Sequence, residues 1–232
     1  MKRIEYFLGL GQGKWSEQWL TDKLGDVITF HAAPDYFRAK TSDKIDQVGL
    51  EYITTELSAK TRDYALMAES QAVPMVLKAL SESKIPIPKV LVLLQPLGLN
   101  ASSLGDSMVE RYESIMNRSK NFWKHPNQSL RIAGNRRTAS EIAKDALVNP
   151  HKIKSFYTAG ANQDYATELE FIANITTVHI FASTDDSLFA YGEIKQHFNK
   201  KNVQLHRLPG THLNRATPKG LAQLKQILKM IQ

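Results

Sequence analysis

Tyr64-Ala65-Leu66-Met67-Ala68 is a short apolar run that leads through Glu69-Ser70-Gln71 into a helical stretch ending near Leu80. The spacing reads as a strand followed at once by a helix, and the same alternation continues in both directions. Towards the amino end, Ile4–Leu8 is a strand that enters the turn Gly9-Leu10-Gly11-Gln12-Gly13. A helix is expected from Ser16, as its N-cap, to Leu24, with Gly25 as its stop. Val27–Ala32 is a β-branched and aromatic run closed by Pro34, and Gln47–Lys60 has helical spacing through Val48, Tyr52, Ile53 and Leu57. Towards the carboxyl end, Val90–Leu94 is a continuous apolar run after Pro86 and Pro88, the pattern of a strand buried on both faces. Val178–Ala182 and Val203–Leu208 are two further strands, separated by a helix-like Tyr191–Lys200, and Leu221–Ile231 is an amphipathic closing helix.

Six strands interleaved with helices predict an α/β architecture: a mostly parallel sheet of about six strands flanked by helices. The middle of the chain departs from the rule. From Ser102 to about Ala173 it is helical or irregular and polar, with no convincing strand. We read residues 102–173 as a helical cap or lid inserted into a core formed by 1–101 and 174–232, one structural domain in all.

Composition narrows the function classes. The chain has 232 residues, 42% of them hydrophobic and 23% charged, so it can bury a substantial core and is not a disordered segment. With no cysteine, disulfide scaffolds, thiolate metal sites and cysteine nucleophiles are excluded. No apolar run approaches the roughly 20 residues of a membrane span, and the amino end lacks the long apolar core of a secretory signal, so a soluble cytoplasmic protein is expected. The net charge is +7. Residues 100–160 hold ten Lys/Arg against five acids, so most of that excess falls in the expected cap. An acidic partner is one consequence of such a charge, and a solvated helical face is the plainer one.

In an open parallel sheet, ligands bind beyond the carboxyl ends of the strands. The residues found there are the Gly-rich turn, Ala68-Glu69-Ser70-Gln71-Ala72, Ser183-Thr184-Asp185-Asp186, and Pro209-Gly210-Thr211-His212. A serine, an aspartate and a histidine therefore stand at three strand ends, in that order along the chain. On these segments the chain resembles the α/β-hydrolase superfamily over nearly its whole length. Ala68-Glu69-Ser70-Gln71-Ala72 stands where that family carries its G-x-S-x-G nucleophile elbow, with alanine at both glycine positions. Val178 to Ser187 resembles the family's strand and acid loop, which puts Asp186 at the acid position, with Asp185 as the neighbouring alternative. Leu208-Pro209-Gly210-Thr211-His212 resembles its histidine loop.

The resemblance implies a serine hydrolase that cleaves an ester, thioester or related acyl bond, with Ser70 as nucleophile, His212 as base and Asp186 orienting the imidazole. It implies oxyanion donors at the backbone N–H of Gln71 and in the turn after the first strand, with Leu10 the first choice and Gln12 the second. It implies no metal and no organic cofactor. The partner is a small-molecule acyl substrate, possibly anionic given the basic cap, and not nucleic acid. Plainer readings stand beside it. Ser70 could cap a helix, Asp185 and Asp186 could cap the turn after them, and a hydrolase-fold protein with a dead site could simply bind. The Gly-rich turn also bears a superficial likeness to a dinucleotide fingerprint, but Lys14 stands where the third glycine is needed and no acid closes the second strand.

Overall fold

A computed structural model describes residues 3–9, 12–34, 42–61, 63–96, 99, 165–184, 191, 194–195, 202–209 and 215–231. The strands are β1 (Ile4–Phe7), β2 (Ile28–His31), β3 (Ala65–Glu69), β4 (Val90–Leu94), β5 (Thr177–Ser183) and β6 (Val203–Leu208). The helices are α1 (Lys14–Leu24), α2 (Ser42–Leu57), α3 (Ala72–Ser81), α4 (Ala166–Ala173) and α5 (Pro218–Ile231). The six strands form one sheet in the order β2-β1-β3-β4-β5-β6, and every pairing is parallel. All six expected strands are present, and the sheet is wholly parallel. Among the described residues, no helix is long and apolar enough to cross a membrane.

Parallel pairing requires crossovers, and crossover helices cover both faces of the sheet. Side chains alternate between those faces. Phe7, Leu66, Ala68, Leu91, Leu93, Val178, Ile180 and Ala182 join one core with residues of α2, α3 and α4. Ile4, Tyr6, Ala65, Met67, Val92, Leu94 and Phe181 join the other with Leu20 of α1 and Leu224, Ile227 and Leu228 of α5. Because β3 and β4 lie inside the sheet with both faces covered, Ala65–Ala68 of β3 and the whole of β4 read as unbroken apolar runs. Helix α3 is buried from Ala72 to Leu77 and again at Ala79 and Leu80. Each fully buried leucine there contributes roughly 1.5–3 kcal/mol by leaving water.

The start of α1 differs from expectation, as do the bounds of α2, which runs Ser42–Leu57 and not Gln47–Lys60, and the start of α5, which is Pro218 and not Leu221. Ser16 does not cap α1: the helix begins at Lys14, the N-cap is Gly13 in extended conformation, and Ser16 is buried inside the first turns. Gly25 does end the helix, for a reason of space. Its N–H bonds Thr21 O at 2.8 Å, and a Cβ there would lie 2.6 Å from the same oxygen. Helix α4 falls within the expected cap limits of 102–173, yet Tyr165, Leu169, Ile172 and Ala173 belong to the core beside α3. This helix packs against α3 and β5. The remainder of the cap expectation lies outside the described residues. So does most of the Tyr191–Lys200 helix, of which Tyr191, Ile194 and Lys195 are helical.

One charged group sits in the middle of β1. Glu5 is 1% exposed, and its carboxylate accepts from His31 Nε2 at 2.8 Å and from Lys60 Nζ at 2.7 Å. Burial pushes the Glu5 carboxyl up, but the His31 and Lys60 hydrogen bonds and charges outweigh it and hold the group below its ordinary value of 4.5. A carboxyl lowered by folding stabilises the native state above the unfolded-state value, and that contribution is lost as pH falls through the lower folded value. Thermal melts from pH 7 to pH 3 should therefore show a loss of stability beginning near pH 4.5, and Glu5→Gln should make it shallower. An identical pH dependence in the variant would remove Glu5 from the acid-unfolding account.

Candidate active site

The strand order reverses direction between β1 and β3, and such a switch point opens a crevice at the carboxyl ends of the strands. Two segments meet there: the turn that follows β1 and the tight connection from β3 to α3. Ser70 is the turn residue of that connection, and its φ is +51°. A side-chain-bearing residue in the left-handed region costs on the order of 1–2 kcal/mol, so the surrounding packing must hold it. Ser70 N–H donates to Leu94 O of β4 at 2.9 Å, and Ser70 O accepts from Val73 N–H at 3.2 Å. These two bonds pin the serine to the sheet on one side and to α3 on the other. Its flanking residues Ala68 and Ala72 are 0% and 2% exposed, so the small side chains expected beside an elbow serine are packed against their neighbours.

The helix-cap reading of Ser70 does not hold. The N-cap of α3 is Gln71, and no side chain hydrogen-bonds that cap. Gln71 thus opens the helix, where backbone N–H groups precede the intrahelical ladder and carry the positive end of the helix dipole. Within the turn after β1, Gln12 N–H donates to Gly9 O at 3.1 Å. Gln12, the second choice for an oxyanion donor, therefore has its backbone donor already engaged. Leu10, the first choice, lies outside the described residues, as do Asp185, Asp186 and His212.

Gly9 touches the elbow directly. A Cβ built on it would sit 3.1 Å from Ser70 Cβ and 3.2 Å from Glu69 O. The first of the turn's glycines is thus used for close approach to the serine. Gly9→Ala should displace one of the two segments by a few tenths of an ångström. A misplacement of that kind in a preorganised site lowers turnover more than stability. Labelling of Ser70 by a fluorophosphonate should slow at least tenfold while the protein still melts cooperatively, and unchanged labelling would show that the contact is slack.

Beneath the serine lies a polar cluster that the motif comparison did not anticipate. Glu69, the last residue of β3, is 1% exposed. Its Oε2 accepts from Tyr6 Oη at 2.9 Å and from Gln12 Nε2 at 2.6 Å. Its Oε1 lies 3.0 Å from Nε of Arg215, an ion pair whose N–H is not aligned as a hydrogen bond. Arg215 is fully buried. Its Nη2 donates to Gln95 Oε1 at 2.9 Å, its Nη1 to Gln223 Oε1 of α5, and its backbone N–H to Gln12 Oε1 at 3.3 Å. Gln95 Nε2 donates in turn to Ser183 Oγ at 2.8 Å. Burial pushes the Tyr6 hydroxyl well above its ordinary value, and the Glu69 carboxylate adds to this, so Tyr6 stays a donor. A carboxylate closing an apolar strand was the one signal in the sequence, because such a group needs a buried partner.

Other polar features lie elsewhere. His179 and His206 face each other across β5 and β6 with Nδ1 and Nε2 2.9 Å apart, stacked beside Phe181. Burial lowers both imidazoles below their ordinary 6.5, and for His179 the neighbouring His206 adds to it. A shallow groove lined by Asp63, Ile87, Pro88, Lys89, Ile175 and Thr176 sits at the amino ends of β3, β4 and β5, the end of the sheet opposite Ser70. Among the described residues, no three His, Asp or Glu side chains converge as a metal site.

Solved structures of the same architecture cover almost the entire chain. A hydrolase from Oleispira antarctica is 13% identical with a TM-score of 0.63, over 98% of this chain and 91% of that one. MenH from S. aureus is 16% identical with a TM-score of 0.64, over 99% and 94%. A lipase-esterase related protein from Clostridium acetobutylicum is 16% identical with a TM-score of 0.64, over 98% and 93%. No protein-family model matches the sequence, and no curated protein matches it either. The chain has the α/β-hydrolase fold.

Proposed function

We propose that the protein is a serine hydrolase that cleaves an ester, thioester or related acyl bond. The observation that carries this reading is the backbone of Ser70: a serine at φ +51°, half-exposed between a buried strand and a buried helix, at the switch point of the sheet. Strain held by packing at such a position is a mark of functional sites. Solved neighbours described as hydrolases and esterases support the class.

In this reaction Ser70 Oγ attacks the acyl carbon and its proton passes to His212. The carbonyl π electrons move onto oxygen, which is held by the N–H groups of Gln71 and Leu10. Collapse of the tetrahedral intermediate expels the leaving group, which takes the proton from His212, and leaves an acyl-Ser70 ester. Water, deprotonated by His212, then releases the acid and regenerates the serine. Asp186 keeps the imidazole in the required tautomer and stabilises its cationic form. This chemistry requires neither metal nor organic cofactor. The excess of basic residues between 100 and 160 favours anionic substrates.

The test is labelling by a fluorophosphonate probe together with turnover of short p-nitrophenyl esters. Labelling that disappears in Ser70→Ala supports the assignment, and labelling that survives it overturns Ser70 as nucleophile. No labelling and no turnover would favour a hydrolase-fold binding protein. Equal rates on neutral and carboxylated esters would remove the anionic preference.

A further inference from the structure

We propose that the buried Glu69–Arg215 pair is the positioning element of this site, holding the loops that carry the reacting groups in one register and cancelling the charge next to the nucleophile. The proposal rests on the serine-hydrolase reading and goes beyond it, since neither residue belongs to the triad. The cluster reaches each loop in turn. Glu69 directly precedes Ser70, and Gln12 lies in the turn that supplies the second oxyanion donor. Gln95 follows β4 with φ +46°, and its own N–H donates to Phe181 O of β5 at 2.8 Å. Ser183 ends β5 three residues before Asp186, and it is 0% exposed. Arg215 follows His212 by three residues, while Gln223 Nε2 reaches Pro209 O at 3.5 Å on the other side of the same loop. Among the described residues, Glu69 and Arg215 are the only charges in this cluster. The residues that contact them are Tyr6, Gln12, Gln95 and Gln223, all neutral.

The arrangement has an electrostatic purpose as well as a geometric one. A carboxylate one residue from the nucleophile would oppose a developing oxyanion and would favour the protonated form of a nearby imidazole. Arg215 cancels that field at contact distance. Removing either partner leaves the other as an uncompensated charge in a poorly screened site, and the two removals act in opposite directions. An uncompensated unit charge in such a site shifts a neighbouring titration by on the order of one pH unit.

The experiment is the pH profile of kcat/KM for p-nitrophenyl acetate in wild type, Glu69→Gln, Arg215→Met, Arg215→Lys and the double variant Glu69→Gln/Arg215→Met. The acidic limb, which reports protonation of the general base, should move down in Glu69→Gln and up in Arg215→Met, by about one unit each. It should return towards the wild-type value in the double variant. Arg215→Lys keeps the charge but not the fork, so its limb should stay in place while kcat falls at least tenfold with little change in KM. If Arg215→Met does not fold, the downward shift in Glu69→Gln and the kcat-only loss in Arg215→Lys decide the matter. An active wild type whose Glu69→Gln limb does not move, or whose Arg215→Lys retains full kcat, overturns the positioning role and leaves the hydrolase reading intact. A wild type that neither turns over the ester nor reacts with a fluorophosphonate overturns the hydrolase reading, and this inference with it.

Discussion

Ser70→Ala is expected to lower kcat for a short p-nitrophenyl ester by on the order of 10⁶-fold, the scale of loss when a serine nucleophile is deleted from a triad. In the proposed mechanism the oxyanion donors and binding contacts that remain retain a background about 10³ above water. Stability should change by less than about 1 kcal/mol, since only a half-buried hydroxyl is removed. Ser70→Gly separates the two consequences of the strained backbone. It should be equally inactive, yet its thermal midpoint should rise, because glycine occupies the left-handed region without a Cβ clash. Circular-dichroism melts alongside ester assays measure both. A Ser70→Gly variant less stable than wild type would show that the serine is not strained as described.

Arg215→Met should be the most destabilising single change among the described polar residues. It leaves the Glu69 carboxylate buried at 1% exposure without its counter-charge. Breaking a buried pair from one side costs about 3–5 kcal/mol. For a chain of this length that corresponds to a fall in Tm on the order of 10 °C. The double variant Glu69→Gln/Arg215→Met should recover much of the loss, because two apolar or neutral groups in place of a buried ion pair are often close to neutral. Urea titrations of the four proteins give the coupling directly. Additive losses would mean that the two charges do not depend on each other, despite the 3.0 Å approach.

The strands and the elbow were legible in the sequence because their signals are local. Val90–Leu94 and Tyr64–Ala68 are unbroken apolar runs, and a strand covered on both faces has no other way to read. Ser70 stood out because a polar turn residue lies directly between such a strand and an equally apolar helix. The start of α1 is not legible at Ser16, because a serine beside an apolar stretch carries the usual cap signal while the N-cap is Gly13, three positions earlier. The apolar pattern of α4 is weak for a related reason. Its glutamates, Glu168 and Glu170, dilute the apolar pattern, although Leu169 and Ile172 are completely buried.

By itself the sequence determined which segments become strands and helices, that the sheet is mostly parallel, and which serine stands at a strand end. These follow from side-chain periodicity and backbone preference over a few residues. The tertiary structure alone decided the order β2-β1-β3-β4-β5-β6, the left-handed backbone of Ser70, the approach of Gly9 to it, and the pairing of Glu69 with Arg215. Each of these depends on contacts between segments brought together by the fold. Glu69 announces only that it needs a partner. Which cation satisfies it depends on where β6 and α5 come to lie once both faces of the sheet are covered.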